Sequence, residues 1–269
     1  MLAVSPQKLG QHFLADAGWR ARIAQCIGAG AEPAGRTPSD AVWLEIGAGH
    51  GEMTRELAPG AARVVAVEVD PRLADHLRGL ARELPNVVVV AGDVLALDLD
   101  QLLPGRVCRV YGNLPYYITS PILRRLFEHA DRIAAIHVVV QFEVAARLVA
   151  RPGRRQYGYL SVLAQFYARP EIALRIPPGA FRPRPRVTSA LVSMLLPGER
   201  AHLDIVEEAK FLKFVQACFA QKRKTLLNNL KLRVPAARAA QAIRAAGLLE
   251  DARAEQLSVA QFVELFRGL

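Results

Sequence analysis

Residues 42–51, Val-Trp-Leu-Glu-Ile-Gly-Ala-Gly-His-Gly, decide the fold because they join an apolar run to a glycine-rich turn. The run at 42–46 predicts a buried strand. Glycines at 47, 49 and 51 predict a sharp turn that lets a ligand approach backbone amides closely. Helical character follows from Glu52 onward. A strand, a glycine-rich turn and a helix in this order are typical of a mononucleotide-binding unit.

Beyond this stretch, short apolar runs alternate with segments of helical character. The further predicted strands are 64–69, 87–91, 107–111 and 136–141, and the predicted helices are 52–58, 72–82, 121–129 and 144–150. Such alternation predicts an α/β fold with a mostly parallel, doubly wound sheet that helices cover on both faces.

After Pro197-Gly198 the chain shows only helical periodicity. Apolar residues recur at helical spacing within 211–219 and within 259–266. Pro235 stands where a helix could begin, and Gly247 stands where one could end. We therefore predict two domains, a larger α/β domain at 1–198 and a small all-helical domain at 199–269.

An acidic residue follows the glycine turn at a distance typical of nucleotide sites. Glu68 closes the next predicted strand, about 20 residues on, where a carboxylate would bind both ribose hydroxyls. A dinucleotide motif requires glycine at its sixth position, which is Glu52 here, and a negative charge at this helix start disfavours a pyrophosphate. The sequence therefore favours S-adenosylmethionine over NAD, with Gly47 and Gly49 in the cofactor turn. Asp93 ends a third strand, where it could bind the adenine amine.

Residues 112–117, Gly-Asn-Leu-Pro-Tyr-Tyr, follow the fourth predicted strand and so lie at the edge where ligands of open α/β sheets bind. The exocyclic amine of adenine is a weak nucleophile because its lone pair is delocalised into the ring. Hydrogen bonds from that amine to the Asn113 side-chain oxygen and the Leu114 carbonyl would free the lone pair. Pro115 would aim this carbonyl, and Tyr116 would stack on the base, a contact worth about 1–3 kcal/mol. The alternative is a proline turn whose tyrosines fill the core.

The positive charge of the chain is concentrated in one region. The formal net charge is +10, and residues 147–186 hold nine arginines against one acid, Glu171. A general composition bias would spread the arginines evenly, whereas a polyanionic partner explains their clustering. The arginines of 147–186 and the cluster Lys222-Arg223-Lys224 are predicted phosphate contacts, and the alternative is a solvated basic face.

Other features of the sequence argue against several classes of protein. The three cysteines and six histidines show neither disulfide nor metal-ligand spacing, so we expect no metal site. No apolar run reaches the roughly 20 residues of a membrane span. The N-terminal residues lack the apolar core of a secretory signal. We expect a cytoplasmic protein without a membrane partner.

These motifs and their order resemble the KsgA family of small-subunit rRNA adenine dimethyltransferases. The likeness runs nearly end to end, through residues 9–14 (LGQHFL), 45–51 (EIGAGHG), 92–93 (GD), 113–116 (NLPY), 157–162 (YGYLSV), 181–187 (FRPRPRV) with Ser189, 219–225 (FAQKRKT) and 228–229 (NN). The resemblance implies a Rossmann-like class I methyltransferase sheet with a helical C-terminal RNA-recognition domain.

The resemblance also implies roles for residues at matching positions. S-adenosylmethionine would be bound by His12, Leu14, Gly47, Glu68, Asp93 and Asn113. Residues 113–116 would surround the target amine, and Phe181 would help to sandwich a flipped base. The family commonly has asparagine where this chain has His12. The implied substrate is two adjacent adenines in the 3′-terminal hairpin of 16S rRNA, each methylated twice within a pre-30S particle by a monomeric enzyme.

Three other functions stay open at this point. One is the related large-subunit rRNA methyltransferase of the antibiotic-resistance type, which shares the glycine and Asn-Leu-Pro-Tyr-like motifs. Another is a mainly noncatalytic ribosome-assembly or transcription factor. The last is a dinucleotide enzyme. The run 181–187 and the helical tail favour the small-subunit enzyme.

Overall fold

The computed structural model describes residues 12–28, 41–103, 107–115, 118–221 and 223–269. The chain divides into two compact units. The first unit contains Met1–Ala145 and Glu171–Leu196, and the second contains Ala146–Pro170 and Pro197–Leu269.

A seven-stranded sheet forms the centre of the first unit. The strands of the protein are β1 Phe13–Leu14, β2 Val42–Ile46, β3 Arg63–Glu68, β4 Val87–Ala91, β5 Cys108–Asn113, β6 Ile133–Gln141, β7 Arg169–Ile176, β8 Phe181–Arg182 and β9 Ser189–Leu195. The large sheet has the order β4-β3-β2-β5-β6-β9-β7, and β1 pairs with β8 separately. Neighbours from β4 to β6 run parallel, and β9 runs antiparallel to β6. The predicted α/β, mostly parallel sheet is confirmed.

Six helices accompany these strands along the chain. They are α1 Ala17–Gly28, α2 Glu52–Leu57, α3 Pro71–Ala81, α4 Leu99–Leu102, α5 Thr119–Phe127 and α6 Phe142–Leu148. The start of α3 shows why the sequence folds this way locally. Pro71 has no amide hydrogen to lose at a helix start, and the Asp70 side chain accepts a hydrogen bond of 2.8 Å from the Arg72 amide.

The core lies on both faces of the sheet. All five residues of β2 are buried, and successive strand side chains point to opposite faces, so both faces must be covered. Trp43 belongs to one buried cluster together with Ile23 of α1 and Leu77 of α3. Leu44 points to the opposite face and is fully buried there. Continuous apolar strands of this kind are the reason for the near-unbroken apolar runs in the sequence.

A short two-stranded ladder ties the start of the described chain to the 181–187 run. Phe13 pairs with Arg182 and Leu14 pairs with Phe181. The amides of Ala15 and Asp16 then both donate to the carbonyl of Ala180, at 3.0 and 3.1 Å. This ladder places His12 beside the first unit's ligand edge, although it is far from that edge in sequence.

The second unit is helical. Its helices are α7 Tyr159–Tyr167, α8 Glu208–Cys218, α9 Leu226–Leu230, α10 Ala236–Ala245 and α11 Val259–Arg267. Pro235 precedes α10 and Gly247 follows it with a φ of 68°, so both predicted helix boundaries are confirmed. Among the described residues, no helix is long and apolar enough to cross a bilayer.

The compact units differ from the predicted division after residue 198. Residues 146–170 belong to the helical unit because α7 packs on α8, where the rings of Phe166 and Phe211 lie 5.2 Å apart. The Tyr157 hydroxyl also donates a hydrogen bond of 2.7 Å to the carbonyl of Leu257. Sequence periodicity did not reveal that residues 146–170 join the helical unit, because 159–167 is a short apolar segment within the predicted α/β domain.

Candidate cofactor and base-binding site

A cavity of about 270 Å³ opens where the carboxyl ends of β2, β3, β4 and β5 meet. This is the edge at which open parallel sheets bind their ligands. The predicted site residues that line it are His12, Gly47, Glu68, Asp93, Asn113, Leu114 and Pro115. The structure therefore brings together residues from four separate motifs of the sequence.

The glycine turn has a backbone that other residues could not adopt easily. Gly47 has a φ of 71° and faces the cavity, while its amide and that of Ala48 both donate to the carbonyl of Val67, at 2.9 and 3.2 Å. Gly51 has a φ of 84°, and a Cβ there would lie 2.3 Å from Cδ2 of Leu80. The turn is thus anchored to β3 on one side and packed against α3 on the other.

Glu68 is held rigidly at the floor of the cavity. Its side chain is 1% exposed, and its two oxygens accept hydrogen bonds of 2.9 Å from the amides of Gly49 and Asp70. Each carboxylate oxygen has a second lone pair, which can accept a hydroxyl hydrogen bond. Gly49 itself does not line the cavity, and it acts by orienting Glu68.

Asp93 lies at the same edge, one strand further out. Its Oδ1 accepts a hydrogen bond of 2.9 Å from the amide of Leu95, so the side chain caps the turn after β4. The Gly92 amide donates to the carbonyl of Glu68 at 2.9 Å, which fixes the two strand ends relative to each other. The exposed Asp93 carboxylate faces the cavity with its second oxygen available for a ligand amine.

Asn113 ends β5 and has a fixed side-chain direction. Its Nδ2 donates a hydrogen bond of 2.8 Å to the backbone carbonyl of His12. The Leu114 amide donates to the carbonyl of Val139 at 3.1 Å. Within the described part of the chain, no group donates to the Leu114 carbonyl or to Asn113 Oδ1. Two hydrogen-bond acceptors are therefore left for a ligand in this segment.

The Pro115 carbonyl is bound by residues at the start of α5. It accepts hydrogen bonds from Thr119 Oγ1 at 3.2 Å and from the Ile118 amide at 3.3 Å. These bonds fix the Pro115 carbonyl relative to the start of α5. Tyr116, Tyr117 and Lys222 lie outside the described residues, so base stacking by Tyr116 stays a prediction.

Besides Gly49, two further predicted site residues lie away from the cavity lining. Leu14 and Phe181 form a pair in the β1–β8 ladder and are 4% and 1% exposed. Both belong to the buried cluster of the first unit. Stacking of the Phe181 ring on a base requires that ring to become exposed, so its role stays a prediction.

The sequence prediction missed most of the apolar residues that line the cavity. These are Phe13, Ile46, Val67, Val69, Val94, Leu95, Ile118 and Ile122. Val69 is 50% exposed, although it follows a buried strand directly. The sequence did contain a signal for them, since an apolar residue directly follows each of the acidic residues Glu68 and Asp93. Such residues suit the flat faces of a nucleoside.

A buried carboxyl lies beneath the glycine turn. The pKa of Glu45 is raised from 4.5 to about 8, chiefly by burial. The hydrogen bond from Thr54 lowers this pKa, the charges of Glu52 and Glu68 raise it, and the value of about 8 includes all of these effects. The Thr54 hydroxyl donates to Glu45 Oε2 at 2.5 Å, which connects α2 to β2. Glu45 pairs with Tyr111 in the β2–β5 register, and burial raises the pKa of that phenol too. The Glu45 carboxyl therefore keeps its proton at neutral pH.

Among the described residues, the spacing of the cysteines and histidines in the fold does not form a metal-ligand cluster. Cys26, Cys108 and Cys218 are free thiols. No group of three or more His, Cys, Asp or Glu side chains within the described ranges could hold a metal ion. Burial, together with a smaller effect of the Arg109 charge, lowers the pKa of His137 to about 3, so this ring is neutral.

Comparison with known proteins identifies the family. Residues 5–269 match the family described as ribosomal RNA adenine dimethylase. The chain belongs to this family. The ribosomal RNA adenine dimethylase match covers both compact units, which accounts for the end-to-end distribution of the motifs.

Individual relatives within the family are similar over nearly their whole length. Ribosomal RNA small subunit methyltransferase A of Koribacter versatilis is 40% identical over 275 residues, which cover 97% of this chain and 93% of that protein. The protein of the same name from Acidobacterium capsulatum is 42% identical over 264 residues, with 97% and 90% covered.

Solved structures agree with this family assignment. The 23S rRNA methyltransferase ErmE is 29% identical, with a TM-score of 0.69 and 96% and 99% of the two chains covered. A dimethyladenosine transferase from Plasmodium falciparum is 22% identical, with a TM-score of 0.78 and 94% and 96% covered. The second likeness shows the shared Rossmann-like methyltransferase fold alone.

Proposed function

We propose that this ribosomal RNA adenine dimethylase transfers methyl groups from S-adenosylmethionine to adenine amines of small-subunit rRNA. The single observation that carries the proposal is the position of Asn113. Asn113 lines the same cavity as Gly47 and Glu68, and its Nδ2 is held by the His12 carbonyl. Relatives that are 40% and 42% identical over 97% of the chain are named ribosomal RNA small subunit methyltransferase A.

The residues at the cavity fit S-adenosylmethionine. The ribose presents two hydroxyl donors, and the Glu68 carboxylate presents two oriented acceptors. Asp93 suits the adenine amine, and the exposed Val69 suits the flat face of the adenine ring. When bound, this cofactor supplies an electrophilic methyl group on a sulfonium centre. Leu14 has no cavity contact, so any contact of Leu14 with the cofactor is a proposal that rests on the resemblance alone.

The described residues would act on the target base by positioning it. Asn113 Oδ1 and the Leu114 carbonyl accept hydrogen bonds from the exocyclic amine, which favours a more tetrahedral nitrogen and frees its lone pair. Both acceptors are fixed before the base arrives, Asn113 by His12 and Leu114 by Val139. The amine becomes acidic once methylated and releases its proton to water. Catalysis is then chiefly orientation and electrostatic preorganisation.

The proposed substrate is two adjacent adenines in the 3′-terminal hairpin of 16S rRNA, each methylated twice. Bases in a hairpin loop can be turned outward at lower cost than bases in a duplex. The enzyme would act in the cytoplasm, as a monomer, on a pre-30S particle.

Exposed arginines support RNA as the substrate. Arg154 and Arg155 lie in the second unit, and Arg182, Arg184 and Arg186 lie in the first, all with exposed side chains. Each can neutralise a backbone phosphate. The helical unit, with the basic run that ends in Arg223 and Lys224, is proposed as the RNA-recognition domain.

The second candidate is methylation of large-subunit rRNA. The observation that favours it is the 29% identity with ErmE over 96% of this chain. The small-subunit relatives are more similar, at 40% and 42%. Incubation with tritium-labelled S-adenosylmethionine and isolated, unmethylated small or large subunits separates the two candidates. We expect label in adjacent adenines of 16S rRNA, and label confined to large-subunit RNA would contradict the proposal.

A further inference from the structure

The backbone carbonyl and the ring of His12 contact different parts of the site. Its backbone carbonyl accepts the Asn113 side-chain amide at 2.8 Å. Its ring Nδ1 lies 2.7 Å from the backbone carbonyl oxygen of Pro183. One residue thus connects the reactive segment to the 181–187 run.

The Pro183 carbonyl determines which ring nitrogen of His12 carries a hydrogen. A backbone carbonyl can only accept a hydrogen bond, so Nδ1 of His12 must carry the hydrogen in this contact. The bond therefore exists only in ring forms that are protonated at Nδ1. The two ring nitrogens consequently have different roles, as is common for histidines with one oriented nitrogen.

The bond to Pro183 lies at the end of the ladder where Asn113 is found. Among the described residues, the β1–β8 ladder contains two residue pairs, Phe13 with Arg182 and Leu14 with Phe181. Its other end is extended by the two amides that donate to the Ala180 carbonyl. A ladder this short is weak in isolation. The ring bond adds a contact between His12 and the 181–187 run at the end of the ladder that orients Asn113.

We propose that His12 is a positioning residue for methyl transfer. Its ring fixes the β1 backbone to Pro183, and its carbonyl then holds the Asn113 amide so that Oδ1 faces the base. This role rests on the proposed function, and it differs from direct binding of the cofactor by the ring. The hydrogen bonds that fix Glu68 and the amides of the glycine turn are made by other residues than His12.

Two substitutions of equal shape test the donor at this position. Asparagine carries a hydrogen-bond donor, Nδ2, three bonds from Cα, and Nδ1 of histidine is also three bonds from Cα. Aspartate has the same shape as asparagine but carries only acceptors there when ionised. His12→Asn therefore keeps the donor toward Pro183, whereas His12→Asp removes it, and His12→Ala removes it without adding a charge.

The first measurement compares kcat on unmethylated small subunits with S-adenosylhomocysteine affinity by calorimetry. We expect His12→Asn to keep kcat within about 2-fold, and His12→Asp and His12→Ala to lower kcat about 10-fold, since misplaced groups lose rate. The Kd for S-adenosylhomocysteine should change by a smaller factor than kcat in the Asp and Ala variants, because the hydrogen bonds that fix Glu68 and the glycine turn do not include His12. Equal kcat for the Asn and Asp variants, or a loss that appears wholly as weaker S-adenosylhomocysteine binding, overturns the proposal.

The second measurement does not depend on activity. In the ¹⁵N-labelled protein at a pH where the His12 ring is neutral, the ring nitrogen shifts report which nitrogen carries the hydrogen. We expect hydrogen on Nδ1 in the wild type, and hydrogen on Nε2 alone would overturn the proposal. If the wild-type protein methylates no small subunit, the proposed function fails, while this result still tests the His12 contact. Thermal unfolding of each variant identifies any that does not fold, and the nitrogen shifts then decide.

Discussion

The side-chain amide of Asn113 donates a hydrogen bond of 2.8 Å to the backbone carbonyl of His12, 101 residues earlier in the chain. An amide group whose nitrogen is engaged in this way must turn its oxygen to the other side. In the proposed function, that oxygen accepts a hydrogen bond from the target amine. The contact therefore couples the N-terminal motif to the reactive segment.

Replacement of Asn113 by alanine should abolish methyl transfer while RNA binding persists. The substitution removes a hydrogen-bond acceptor that is oriented before the transition state forms. Loss of one preorganised hydrogen-bonding group of this kind lowers kcat by about 100- to 1000-fold. Single-turnover methylation of small subunits and a filter-binding assay measure the two properties. A variant that methylates at the wild-type rate would show that Asn113 does not act on the base.

Replacement of Glu68 by glutamine should weaken S-adenosylmethionine binding about 10- to 100-fold, because hydrogen bonds to a charged group contribute about 1.5–3 kcal/mol. One of the two carboxylate oxygens becomes an NH₂ group that faces the Gly49 or Asp70 amide. Calorimetric titration measures the change. Glu83→Gln, at an exposed position away from the cavity, is the control. Unchanged affinity in Glu68→Gln would remove this carboxylate from the cofactor site.

Replacement of Gly51 by alanine should destabilise the protein by about 1–3 kcal/mol, since an added carbon would overpack the site and the backbone would be strained. The new Cβ would lie 2.3 Å from Leu80 Cδ2, at a φ of 84°. Gly60→Ala is a matched control because a Cβ there meets nothing within 4 Å. Urea unfolding measures both variants, and equal stability losses would contradict the packing argument.

The buried Glu45 should make stability fall as pH rises. Its pKa is raised from 4.5 to about 8, so between these values the folded protein keeps a proton that the unfolded chain has lost. Stability should then decrease by up to about 1.4 kcal/mol per pH unit across this window. Glu45→Gln stays neutral and should show a flatter profile of unfolding free energy against pH. Identical profiles for the two proteins would mean that Glu45 ionises normally.

Replacement of Arg154 and Arg155 by alanine should weaken RNA binding and flatten its salt dependence. Each phosphate contact that is lost lowers the slope of log K against log salt by about 0.7–0.9. Binding to small-subunit RNA at several salt concentrations measures the slope. An unchanged slope would place this segment outside the RNA interface.

The sequence predicted the parts of the fold in which a glycine or a polar residue follows an apolar run. Gly47, Glu68, Asp93 and Asn113 each follow an apolar run, and parallel strands bring such positions to one edge. Their assembly around one cavity follows from the strand order and needs no long-range information.

Other features depend on contacts that local patterns do not encode. β7 alternates only weakly between buried and exposed residues, and β9 reverses direction beside β6, so neither was predicted as part of the sheet. The Phe181 ring is buried in the core, which its motif alone did not indicate. The contact between His12 and Asn113 likewise joins residues that are distant in sequence.

A crystal structure with S-adenosylhomocysteine and an unmethylated RNA hairpin that carries two adjacent loop adenines tests the central claim most directly. The account predicts a flipped adenine whose exocyclic nitrogen lies within hydrogen-bond distance of Asn113 Oδ1 and the Leu114 carbonyl, opposite the cofactor sulfur. An adenine bound elsewhere, or a cofactor bound away from Gly47 and Glu68, would contradict it.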